Sequence, residues 1–155
     1  MLPKIARITK VEKENETVST FTLDAKMDAT PGQFVMAWIP GTDDEKPFSL
    51  AGDSPLTLSV GARGPFSKKF CGLKPDHKIW VRGPYGRGFE LTGKNILLVG
   101  GGYGFAPLRF LALEAKKRRI KATAICGARK KSLLMKRAAC RTIYTTDDGS
   151  QGIRG

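Results

Sequence analysis

Residues 95–108 read Asn95-Ile96-Leu97-Leu98-Val99-Gly100-Gly101-Gly102-Tyr103-Gly104-Phe105-Ala106-Pro107-Leu108, and the chain runs on to Lys121-Ala122-Thr123-Ala124-Ile125-Cys126. Ile96–Val99 is an apolar run of strand length. Leu108, Leu111, Ala112 and Ala115 share one face of a helix over 106–119, and Ala122–Cys126 is a second apolar run. Strand, glycine turn, helix, strand is a βαβ unit, and its parallel strands imply a doubly wound sheet. Glycines at such a junction let the backbone approach a pyrophosphate, while the helix N-terminus adds partial positive charge and free N–H groups. Pro107 suits the first helical turn, where its missing donor costs nothing. The pattern departs from GxGxxG, because Pro107 stands in place of the third glycine. Cys126-Gly127-Ala128-Arg129 also stands where an acidic residue would close the second strand. A dinucleotide that visits and leaves fits these departures better than one held permanently by its adenosine ribose. The competing reading is a glycine turn that only permits tight strand–helix packing.

Working outward, 132–139 reads as a short helical segment and Arg141–Thr145 as a third strand. Asp147-Asp148-Gly149-Ser150-Gln151-Gly152-Ile153-Arg154-Gly155 reads as a turn-forming loop. Open parallel sheets usually carry roughly four to six strands, so this one reads as unfinished and the sequence as C-terminally truncated. Such a half-built sheet is expected to leave apolar faces and edges bare, with instability, aggregation or reliance on a partner.

Upstream, short alternating runs separated by turns cover Ile5–Val11, Val18–Leu23, Gln33–Ile39, Phe48–Ala51, Leu56–Val60 and Lys78–Arg82, with one helical turn at Ser67–Leu73. This spacing predicts a small antiparallel barrel or sandwich. Gly83-Pro84-Tyr85-Gly86-Arg87-Gly88 marks the module boundary, giving a β domain over 1–92 and a partial α/β domain over 93–155. The net charge of +13 divides the same way: 13 Lys/Arg face 11 Asp/Glu in residues 1–92, but 14 face 3 in residues 93–155. Such a basic module suits nucleic acid, an anionic lipid surface, an acidic partner or a phosphate-bearing cofactor. With 41% hydrophobic residues among 155, a disordered tail or linker is excluded. Cys71, Cys126 and Cys140 are too few and too far apart for a disulfide framework or a CxxC metal site, which points to a reducing, cytoplasmic setting. No apolar stretch approaches the roughly 20 residues that span a bilayer, and 1–10 has no signal core, so no membrane role is expected.

Two stretches of the β module add candidate chemistry. In Lys46-Pro47-Phe48-Ser49, Pro47 keeps Lys46 extended, Phe48 offers a flat face and Ser49 a hydroxyl able to donate to a ring nitrogen. In Gly64-Pro65-Phe66-Ser67, backbone N–H groups and a hydroxyl gather at a helix start, as in an anion site. Each alone also reads blandly, as a strand start and as an ordinary N-cap by Ser67. His77 reads as a solvated turn residue, Cys126 as a small buried hydrophobe, and Lys116-Lys117-Arg118-Arg119 as cations closing a helix. Lys130-Lys131 and Lys136-Arg137 read as a solvated face.

Taken in order, K-P-F-S, G-P-F-S, G-P-Y-G-R-G-F, G-G-G-Y-G-F-A-P-L, C-G-A-R and T-D-D-G-S resemble the ferredoxin-reductase-like flavoproteins across nearly all of the chain. Within them the sequence is most similar to the electron transfer subunit of heteromeric dihydroorotate dehydrogenase in its archaeal form. The resemblance implies an antiparallel Greek-key FAD-binding barrel followed by an incomplete nucleotide-binding domain. It implies that Lys46, Pro47, Phe48 and Ser49 contact the isoalloxazine, that Ser59, Val60 and Gly61 run along the flavin, and that Gly64, Phe66 and Ser67 form the pyrophosphate turn. Gly100, Gly101, Gly102, Gly104, Ala106 and Pro107 match the pyridine-nucleotide loop. Gly127, Ala128, Arg129, Asp147, Asp148 and Gly149 match positions lining its cleft. The implied role is an oxidoreductase component carrying electrons from the dihydroorotate-oxidising catalytic subunit to NAD through FAD and a 2Fe-2S cluster, in UMP biosynthesis. Two departures stand out. Lys46 replaces the usual Arg, and the family's four grouped cysteines are absent, so no metal site is expected in this chain. The alternatives are another flavin reductase or diaphorase subunit of the superfamily and, in a different class, a basic nucleic-acid-binding barrel. The second needs aromatic platforms among the cations, where only Tyr103, Phe105, Phe110 and Tyr144 occur.

Overall fold

The computed structural model of the protein describes residues 2–155. Strands β1 (Lys4–Lys13), β2 (Val18–Leu23), β3 (Phe34–Trp38), β4 (Glu45–Asp53), β5 (Leu56–Gly61) and β6 (Lys78–Tyr85) close into a barrel in the order β1-β2-β5-β4-β3-β6. Every pairing in it is antiparallel. Alternation along β5 sends Leu56, Leu58 and Val60 fully into the interior, where they meet Ile8, Phe21, Leu23, Val35, Leu50 and Ile79. Helix α1 (Pro65–Cys71) plugs the barrel with Phe70, whose ring meets Phe21 edge-on at 5.1 Å. The helix starts two residues earlier than the sequence suggests, because Gly64 is the N-cap. Ser67 is the third helical residue: its hydroxyl accepts from the backbone N–H of Arg63 and Gly64 and donates to the Gly64 carbonyl.

Strands β7 (Asn95–Gly101), β8 (Lys121–Ala128), β9 (Arg141–Thr146) and β10 (Ile153–Arg154) form a parallel sheet in the order β10-β9-β8-β7. A 3₁₀ turn, Gly102–Phe105, joins β7 to helix α2 (Ala106–Lys117), which covers one face of the sheet through Leu111, Ala112 and Ala115. Arg118 and Lys117 close the helix by pairing with Glu114. Two expectations are corrected. Residues 132–139 are not helical: only Lys131–Leu133 makes a 3₁₀ turn, and Leu134 is extended. The Leu133 carbonyl, which a helix would use, accepts from the Asn15 side-chain amide at 2.9 Å, and Met135 and Ala138 are buried along an irregular segment. The terminal stretch is not wholly a loop either. The Thr146 hydroxyl donates to the Gln151 carbonyl and accepts its N–H, turning Ile153–Arg154 back as a fourth strand beside β9. Among the described residues no helix is long and apolar enough to cross a membrane.

The two halves interlock. Phe110 of α2 belongs to the barrel's core, while Val18 and Ala51 of the barrel belong to the core under α2. At this junction Arg109 makes two 2.9 Å contacts with Glu14, whose side chain is 3% exposed. Burial pushes the Glu14 carboxyl up, but hydrogen bonds from Arg109 and Thr20, and the Arg109 charge, outweigh it and hold the group below its ordinary value. Arg109→Met is expected to cost about 3 kcal/mol, read as a lower denaturant midpoint, because Glu14 stays buried without its partner. A carboxylate lowered in the folded state stabilises above its unfolded pKa and loses that contribution as pH falls through its folded value. The gap between wild type and Arg109→Met should therefore narrow on acidification below the ordinary carboxylate range.

The face of the sheet opposite α2 is bare: Leu97 and Val99 are 61% and 65% exposed. Parallel sheets normally bury both faces, so this patch favours association. Sedimentation should show concentration-dependent self-association of the chain. A Leu97→Lys/Val99→Lys variant should suppress it with a stability change within about 0.5 kcal/mol.

Candidate functional site

Two clefts open where the barrel meets the glycine loop. The first, of about 300 Å³, lies between Pro47, Phe48 and Ser49 of β4, Ser59 and Gly61 of β5, and Gly104, Ala106 and Pro107 at the start of α2. The second, of about 380 Å³, lies between Asn15, Thr17 and Val18 of the barrel and Gly101, Gly102, Gly127, Ala128, Arg129 and Asp147 at the carboxyl ends of β7, β8 and β9. Carboxyl ends of parallel strands are where open α/β sheets bind ligands. Tyr103 and Arg63 line both clefts. The Arg63 guanidinium sits 5.5 Å from the Tyr103 ring centroid, and a Cβ on Gly61 would come within 3.2 Å of that ring. Arg63 has no carboxylate partner among the described residues, so a cation stands free at the common mouth.

The glycine loop divides its labour. A Cβ on Gly100 would lie 2.8 Å from Leu108 Cδ1 and 3.1 Å from Phe105 Cα, so this glycine serves strand–helix packing. Around Gly102, at φ +52, and Gly104 there is open space on the cleft side. The packing role thus falls on Gly100, while Gly102 and Gly104 leave room beside the clefts. Ala106 and Pro107 are the first two residues of α2; the Ala106 N–H donates to the Tyr103 carbonyl of the preceding 3₁₀ turn and Pro107 has no N–H, so neither offers a free donor.

The remaining expected residues fall in varied places. Lys46 does not line the first cleft; its ammonium lies 3.6 Å from Asp44 in solvent. Val60 is fully buried, so its side chain belongs to the barrel core. Phe66 stacks against Phe48 at 6.2 Å and supports that face from behind. With the Ser67 hydroxyl spent on Arg63 and Gly64, the groups left at the α1 turn are the N–H donors of Phe66 and Ser67. Asp148 and Ser150 line an adjoining hollow with Lys130 and Lys131, and Gly149 turns the backbone between them. Asn15, Thr17 and Arg63 carry no motif in the sequence, and Tyr103, though inside the glycine motif, gains its place between the clefts only from the packing. Phe105 and Phe110 are buried, so the basic half does not present them as stacking platforms. Cys71 lies in α1, Cys126 in β8 and Cys140 before β9. Burial pushes all three thiols up, and among the described residues no group of side chains fits a metal ion or cluster.

Gly100→Ala should destabilise the fold by about 1–3 kcal/mol through overpacking. Gly104→Ala should change stability by no more than about 0.5 kcal/mol, measured by thermal melts of both variants, because its side chain enters open cleft.

No family model matches the chain. It is 43% identical over 99% of its length to a protein of Methanocaldococcus jannaschii named "Probable dihydroorotate dehydrogenase B (NAD(+)), electron transfer subunit". It is 40% identical over 98% to a Thermococcus kodakarensis protein of the same name. The chain spans about 60% of the first of these relatives and 66% of the second. Among solved structures, an NADH-dependent reduced ferredoxin–NADP oxidoreductase studied for flavin-based electron bifurcation superposes at TM-score 0.87. Its identity is 29%, with 98% of this chain and 60% of that one covered. Phthalate dioxygenase reductase shares the fold at TM-score 0.80 and 18% identity, covering 95% of this chain and 52% of its own. The resemblance carried by the ordered motifs is thus a similarity over nearly the whole chain to electron transfer subunits of dihydroorotate dehydrogenase, on a ferredoxin-reductase-like fold.

Proposed function

We propose that this chain is the FAD- and NAD-binding part of an electron transfer subunit that accepts electrons from a dihydroorotate dehydrogenase catalytic subunit and delivers them to NAD in pyrimidine (UMP) biosynthesis. The observation that carries the reading is the shared wall. A cleft built from Pro47, Phe48 and Ser49 and a cleft built on the glycine loop meet at Tyr103 and Arg63. The similarity to the named subunits supports the partner and the electron route. The three free thiols support a reducing, cytoplasmic setting.

The residues present fit the flavin. Phe48, backed by Phe66, offers an aromatic face, Ser49 is exposed, and Gly61 presents no side chain to the cleft. FAD bound there supplies the exchange between two-electron and one-electron transfer. Pro47, Phe48 and Ser49 would hold its ring, with Ser59 and Gly61 beside them, and the Arg63 guanidinium and the N–H groups of Phe66 and Ser67 would meet its phosphates. Gly101 and Gly102 would receive the pyrophosphate of NAD, and Gly127, Ala128, Arg129 and Asp147 would wall its cleft. Asp148 lines the adjoining hollow with Lys130 and Lys131, its carboxylate held by Ser150, and Gly149 turns the backbone beside it. Lys46, paired with Asp44, reaches the ring only by leaving that partner. Among the described residues the cysteines are not grouped to hold an iron–sulfur cluster.

Purified chain is expected to retain one FAD per polypeptide after the free cofactor is removed, with a flavin absorbance spectrum. Absence of any retained flavin would overturn the reading. The similarity to a ferredoxin–NADP oxidoreductase favours, as second reading, another flavin reductase subunit. Capture of a dihydroorotate-oxidising partner by the tagged protein in its native host distinguishes the two.

A further inference from the structure

Ser59 on β5 and Thr20 on β2 are directly opposed, and their hydroxyl oxygens lie 2.7 Å apart. Thr20 is itself 2.7 Å from a Glu14 carboxylate oxygen, and that carboxylate is the one held by Arg109 of α2. An ionised carboxylate only accepts, and a threonine hydroxyl carries a single proton. Thr20 must therefore spend its proton on Glu14, which leaves it only lone pairs to offer Ser59. Ser59 in turn must donate to Thr20. Its own lone pairs are all that remain on the side that lines the barrel cleft.

We propose that Glu14 and Thr20 fix Ser59 as a hydrogen-bond acceptor in the barrel cleft, so that the ligand group seated against it is an N–H or O–H donor. On the flavin reading above, on which this rests, that group is a ribityl hydroxyl or a ring N–H, and the ring carbonyls are excluded from this position. Thr20 is a positioning residue that acts through Ser59. Because Arg109 lies on α2, the polarity of a hydroxyl in the flavin cleft is set from the nucleotide-binding half. The low folded-state pKa of Glu14 keeps the carboxylate ionised near neutral pH.

FAD titration of the full 155-residue chain and its variants tests this, with circular dichroism as the check on folding. Ser59→Ala should weaken FAD binding about tenfold, the worth of one hydrogen bond. Thr20→Val should also weaken it, Thr20→Ser should restore it to within about twofold of wild type, and the Ser59→Ala/Thr20→Val double variant should bind no worse than Ser59→Ala alone. If Thr20→Val does not fold, Thr20→Cys, with its weak donor thiol, takes its place in the same cycle. Losses that simply add would make Thr20 a structural residue and overturn the proposal, as would Ser59→Ala binding like wild type. Wild type that binds no FAD would instead overturn the flavin reading itself.

Discussion

A carboxylate from the barrel and a guanidinium from helix α2 meet where water reaches only 3% and 17% of their side chains. Taking Glu14 and Arg109 out of solvent costs several kcal/mol per ion, so the contact persists only because its geometry is good and the carboxylate's other lone pairs are met. Thr20 and, at 3.4 Å, the Lys136 backbone N–H meet them. Apolar packing at this place would bind the halves about as well but would tolerate sliding. A two-pronged ion pair has one register. With Phe110 seated in the barrel core beside it, α2 has one orientation, and the glycine loop at its N-terminus has one position relative to β4 and β5.

The site follows from that registration. Neither half builds a cleft alone: the barrel contributes Phe48 and Ser49 to a space closed by Ala106 and Pro107, and the sheet's cleft is closed by Asn15 and Thr17 of the barrel. The excess positive charge of residues 93–155 takes on a local meaning in this frame. Some of it is spent internally, with Arg109 on Glu14, Arg118 on Glu114, Lys130 on Glu16 and Lys136 near Glu12. Arg129, just past the carboxyl end of β8, is the cation of this half that lines the second cleft.

Much of the architecture is legible in the sequence because local and global preferences agree there. Period-two runs such as Leu56-Thr57-Leu58-Ser59-Val60 have one face to bury, and the Ile96–Cys126 stretch carries strand, turn and helix signals in consistent order. The motif residues Pro47, Phe48, Ser49, Gly101, Gly102 and Gly104 were readable for the same reason: the backbone or ring chemistry they supply is a property of residue type. What sequence reading misses is set by contacts between distant residues. At 132–139, where the sequence reads as helix, the Leu133 carbonyl is taken instead by Asn15 from 118 positions away and the segment is irregular. Glu14 reads as a surface acid until Arg109, 95 residues on, is folded against it. Arg63 and Tyr103 gain their place only when β5 and the glycine loop meet.

The strand order has a further consequence. From β7 the connections step away in a single direction, through β8 and β9 to β10, so β7 is the border of the sheet and the glycine loop stands at that border. A crevice at a topological switch point needs chain leaving the first strand to both sides. Here Gly127, Ala128 and Asp147 wall the cleft on the β8 side, and Asn15, Thr17 and Val18 of the barrel complete it. A strand pairing with the free edge of β7 would stand beside the glycine loop on the side away from β8.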